Sequence, residues 1–151
     1  MLKQVLFSLI ATFCFAIIFN IRGKKLFFTS IGGGISWLTY LLCINAGYSV
    51  SFSYFLSSIA LTLFSEIFAK YLETPVTTIL ICGLIPLVPG GGIYYTMYNI
   101  IKEKPLAAFS KGIETFLISC SLAMGIVFVT SFIKILKDIH RKKIASRIIS
   151  K

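Results

Sequence analysis

The chain has 151 residues, of which 57% are hydrophobic and only 13% charged, and its mean hydropathy is +0.91. Soluble domains carry about a quarter charged residues, so this balance excludes an ordinary soluble fold and points to an all-α integral membrane protein. The net charge of +10 sits in short connections and at the C-terminal end rather than along a repeating face, which suits topology and anionic headgroups better than nucleic acid.

Taken in order, the first apolar run is Val5 to Ile21, preceded by Lys3. It is longer than the roughly 7 to 15 residues of a signal h-region, no A-x-A site follows it, and Phe13 before Cys14 fits a lipoprotein site poorly. The expectation is an uncleaved first transmembrane helix. Asn20, Arg22, Gly23, Lys24 and Lys25 make a short polar connection, and Leu26 to Ala46 is long enough to span at about 20 residues per crossing. Within it, Gly32-Gly33-Gly34 and Ser36 offer a small-residue surface for close helix packing. No Gly-Lys-Ser/Thr ends that run, so a phosphate loop is excluded.

Val50 to Leu72 is the third predicted span. Glu66 is the acid expected within it, and two readings stand side by side. One is an i,i+4 pair with Lys70 near the interface. The other is a proton-coupling carboxylate, because ionisable groups inside a membrane face cavities and partners.

Pro75 opens the fourth span, and Ile85-Pro86-Leu87-Val88-Pro89-Gly90-Gly91-Gly92 must interrupt it. Pro86 and Pro89 lack the amide hydrogen a helix interior needs, and three consecutive glycines are costly to hold helical. Irregular backbone at membrane depth is tolerated only where protein or a cavity surrounds it. A second half, from about Gly91 to Ile101, would turn free amides and a positive dipole end toward the break, a seat for a carboxylate. Pro86, Pro89, Gly90, Gly91 and Gly92, with Tyr94, Tyr95, Thr96 and Asn99 supplying polar partners, are therefore the candidate substrate-binding residues. The competing reading is a proline kink closed by a neighbouring helix, with the tyrosines as an interfacial belt.

Lys102 to Gly112 reads as the longest loop, and Glu114 to Ile135 as the fifth span. The division is then a transmembrane domain over residues 1–138 and a basic cytoplasmic tail over 139–151. Counting Lys and Arg by side gives eleven on the face shared by the first connection, Lys70 and the tail, against four for Lys3, Lys102, Lys104 and Lys111. The positive-inside rule then sets the N-terminus outside and the C-terminus in the cytosol. With a re-entrant hairpin in place of the broken fourth span, the number of crossings becomes even and this assignment fails.

Cys14, Cys43, Cys82 and Cys120 each lie in an apolar run without C-x-x-C spacing, and His140 is the single histidine. No zinc site and no Ser-His or Cys-His pair can be assembled from them, so no metal, no cofactor and no enzymatic activity are expected.

Phe19-Asn20 before a basic connection, the glycine-rich second helix and, above all, Pro86-x-x-Pro89-Gly90-x-x-x-Tyr94 resemble the threonine/serine exporter family, and more narrowly the small subunit of its split, two-gene form. The resemblance implies bacterial inner-membrane export of threonine and serine, or in some relatives of C4-dicarboxylates such as succinate, driven by the proton gradient. It also implies a larger partner subunit with a similar membrane portion and an added N-terminal soluble domain. The residues independently favour association, since five helices supply little material to enclose an aqueous path. A non-transporting accessory subunit and a channel are the rival readings.

Overall fold

The computed structural model describes residues 1–149, with side chains described for 1–139. The chain is helical: α1 is Leu2–Ile18, α2 Lys24–Asn45, α3 Val50–Tyr71, α4 Val76–Leu84, α5 Gly90–Ile101 and α6 Pro105–Ile149, with a 3-10 turn at Ile85–Leu87 between α4 and α5. Among the described residues, α2, α3 and α6 are long and apolar enough to cross a bilayer, and α4 with its 3-10 turn plus α5 makes a further span bent by 46°. The 17 residues of α1 reach about 25 Å, slightly under a hydrocarbon core of about 30 Å.

The helix ends share one device. Asn20, Gly47, Glu73 and Glu103 all have positive φ, and the residue after each donates its N–H to a carbonyl five residues back: Ile21 to Ala16 at 2.9 Å, Tyr48 to Cys43 at 3.2 Å, Thr74 to Ala69 at 3.0 Å and Lys104 to Asn99 at 2.9 Å. Each pair of bonds closes carbonyls that the helix leaves open, which allows turns of only a few residues at a membrane surface. At the start of α3, the Ser49 hydroxyl accepts from the Phe52 N–H.

Packing relies on small hydroxyl residues. Among the described residues, the eleven buried polar side chains are all Ser or Thr. Most donate to a carbonyl one turn back, as Thr12 does to Ser8 and Ser65 to Leu61, and so enter the interior with their hydrogen bonds made. Ser8 of α1 instead donates to the Gly33 carbonyl at 3.0 Å, and Ser57 of α3 to the Ser36 carbonyl at 2.9 Å, which ties both neighbours to α2. The glycine run of α2 is fully buried, as its composition led one to expect. Around Leu61, Leu80, Leu87, Ile118 and Leu122 lies the main apolar cluster, flanked by Trp37, Tyr40 and Tyr54.

α3 and α6 run in the same direction, since Gly125 lies against Ser58 and Lys137 reaches Glu66 further along both. That parallelism requires the bent α4–α5 segment to return the chain to the end where α3 begins. A 46° bend deflects the path and does not reverse it.

Two expectations change. The predicted loop Lys102 to Gly112 is mostly helix, because Pro105 occupies the first helical position, where its missing donor costs nothing. The last helix accordingly begins at Pro105 rather than near Glu114. From Lys137 back to Pro105, α6 measures about 48 Å, whereas from Glu66 back to Val50, α3 measures about 24 Å. The start of α6, packed on α5, therefore forms a hairpin that runs on past the start of α3. Beyond Ile139, α6 continues through the basic segment 139–151 as far as Ile149, and the side chains from His140 onward lie outside the described residues.

Candidate functional site

The interruption is built by its two prolines. Pro86 has no N–H to offer the Cys82 carbonyl, and the Val88 N–H is shared between Leu84 and Ile85 at 3.1 and 3.2 Å, tightening the chain into the 3-10 turn. Pro89, at φ −75° and ψ 57°, centres an inverse γ-turn in which Gly90 donates to Val88 at 2.7 Å. The next backbone bond is Ile93 to Pro89 at 3.2 Å. Between them, the Gly91 and Gly92 amides have no partner among the described residues, and no side chain caps the helix.

The candidate residues divide between two faces of α5. Gly90 and Gly91 look onto open space. Tyr94, Tyr95 and Tyr98 lie on their side of the helix and are exposed, with Tyr94 stacked on Tyr98 at 6.2 Å between ring centroids and edge-on to Tyr95 at 5.3 Å. Gly92 turns the other way, so close to Thr115 of α6 that a Cβ there would overlap its hydroxyl. Thr96 follows Gly92, donating to its carbonyl at 2.7 Å and setting its methyl against the Gly112 position. Asn99 is half-buried. Thr96 thus belongs to the α5–α6 contact, while Gly90, Gly91, Tyr94 and Tyr95 form the open face.

Pro86 lies deeper, in the wall of a cavity of about 240 Å³ whose other sides are Gln4, Phe7, Ser8, Ala11 and Trp37. The Trp37 indole nitrogen is buried without a hydrogen-bond partner among the described residues. Neither Trp37 nor Thr115 carried a signal in sequence, since each lies in an apolar run whose neighbours across the bundle were unknown.

Glu66 is not part of this cluster. Its carboxylate pairs with Lys137 of α6 at 3.1 Å rather than with Lys70, and its side chain is 12% exposed. Thr115, beside Gly92, and Lys137 are 22 residues apart on one helix, about 33 Å. The break and Glu66 consequently stand at opposite ends of the bundle.

Apolar helices whose interior is lined with hydroxyls, and whose fourth segment is broken by prolines with open amides, define a multi-pass α-helical membrane protein. The chain belongs to the threonine/serine exporter family: the sequence model of that family, Threonine/Serine exporter, ThrE, matches residues 4–132, from the first turn of α1 to the apolar body of α6. It is accordingly a membrane component of a transporter. No solved structure matches it.

Proposed function

We propose that this chain is one subunit of a proton-driven secondary transporter that exports threonine and serine across the bacterial inner membrane together with a larger subunit, with its N-terminus outside and its C-terminus in the cytosol. The observation that carries this reading is the uncapped start of α5. Two amides at Gly91 and Gly92 without a partner among the described residues, open space at Gly90 and Gly91, and the positive end of a helix dipole suit the α-carboxylate of a small amino acid. Tyr94 and Tyr95, one turn on, orient the substrate, and Pro86 and Pro89 hold the break open. A succinate-type dicarboxylate shares the carboxylate and is the alternative cargo.

A larger subunit is favoured because the Gly91 and Gly92 amides have no partner among the described residues, and a second subunit would cover them between transport cycles. Glu66 is the candidate proton carrier, acting from the far end of the bundle through its pair with Lys137.

Gly91 is the position that tests the site. A side chain there meets no neighbour, whereas one at Gly92 would force α5 away from α6 and confuse a local effect with misfolding. Gly91→Leu is expected to leave the amount of membrane-inserted protein unchanged and to reduce threonine efflux at least tenfold, read as intracellular accumulation of labelled threonine. Efflux at the unaltered rate would remove the break as the substrate seat.

A further inference from the structure

α6 is longer than a bilayer can use. Over Pro105–Ile139 it is 35 residues, about 52 Å, against a hydrocarbon core of about 30 Å, and its uncharged stretch, Thr115 to Ile133 between Glu114 and Lys134, is only 19 residues. Tilting to about 40°, the upper end for spanning helices, accounts for only about 26 residues. The other end is fixed, since exposed Lys134 and the Lys137–Glu66 pair belong at headgroup level. The surplus therefore falls at the start of α6, where it packs on α5.

That hairpin displays large apolar side chains. No residue of α5 is buried, and Leu106 is 85%, Ile101 79% and Phe109 70% exposed. Between the two helices is a groove of about 480 Å³, walled by Thr96, Ile100, Ala108, Phe109, Gly112 and Phe116, with room for one or more large apolar side chains. Apolar surface of this density beyond the hydrocarbon marks a protein contact. At the tip, Lys102 and Lys104 are exposed, form no ion pair among the described residues and outweigh Glu103 between them. A second copy related by a two-fold axis along the membrane normal would set this basic turn against itself, which like-charge repulsion opposes.

We infer that the α5–α6 hairpin is the surface by which this chain grips a different membrane protein, one that seats large apolar side chains in the groove and places acidic side chains opposite Lys102 and Lys104. This rests on the two-subunit reading above and identifies that partner as the larger exporter subunit.

The test is coexpression of the full chain with a tagged larger subunit and recovery of the pair from detergent-solubilised membranes. Gly112→Leu, which fills the groove, and the charge reversal Lys102→Glu with Lys104→Glu are each expected to cut co-recovery at least tenfold, while the chain remains in the membrane at its usual level. Ile18→Ser, on an exposed site of α1, should leave co-recovery unchanged. A photo-crosslinking benzoylphenylalanine at Phe109, which is exposed enough to accept it without refolding, should attach to the larger subunit. Wild-type co-recovery by the hairpin variants, or attachment at Phe109 to lipid or to a second copy, would overturn the inference and leave the two-subunit reading standing. Failure of the unaltered chain to co-purify would instead overturn that reading, and this inference with it.

Discussion

At Glu66, one side chain supports two roles with opposite consequences. The carboxylate is held at 3.1 Å by Lys137 in a position mostly withdrawn from solvent. If it carries the inward-moving proton that drives export, the pair must open once per cycle, and Glu66→Gln abolishes the dependence of efflux on external pH. If it only ties α3 to α6, the same variant keeps that dependence and lowers stability modestly, since half-exposed pairs contribute up to about 1 kcal/mol. Efflux measured across a pH series in everted vesicles separates them, and the first outcome is expected. The partner itself was beyond the reach of sequence. Lys70 was the natural choice because helix periodicity makes i,i+4 neighbours visible, whereas Lys137 lies 71 residues away and meets Glu66 only through the α3–α6 packing.

Among the elements, α2 is the one on which α1, α3 and α4 are assembled, and Gly33 is its crossing point. A Cβ at Gly33 would overlap the Thr12 side chain of α1, its carbonyl accepts from Ser8 and Ser36, and its amide nitrogen lies 3.5 Å from where a Cβ at Gly83 of α4 would stand. Gly33→Ala is therefore expected to cost about 1–3 kcal/mol by forcing α1 outward. Gly34→Ala, facing Leu9 at an ordinary 3.5 Å, should be nearly neutral. The midpoints of SDS-induced unfolding in mixed micelles compare the two. The small-residue surface was legible because glycine in a spanning helix has few other uses. The break at Pro86 and Pro89 was legible because a missing amide hydrogen is absolute. The segment from Lys102 to Gly112 misled for the same kind of reason, since its charges and Pro105 resemble loop chemistry, yet a proline suits the first turn of a helix.

For the whole molecule, the parallel course of α3 and α6 carries the topology. It requires the chain to traverse the bundle through the bent α4–α5 segment, so the start of α1 and the far end of α6 lie on opposite sides of the bundle. With basic residues concentrated near the first connection and after Ile133, alkaline phosphatase fused after Ile139 is expected to be inactive and a fluorescent protein fused there to fluoresce. The reverse pair of results would invert the proposed orientation.

One rod links the two ends of this protein. α6 rests on α3 where Gly125 lies against Ser58, and from that fulcrum it is about 18 Å to Lys137. A swing of about 10° there displaces the lysine by about 3 Å, comparable with the separation at which it holds its carboxylate. Leverage of that kind would let a grasp on one tip be felt at the other without any change in the helix between.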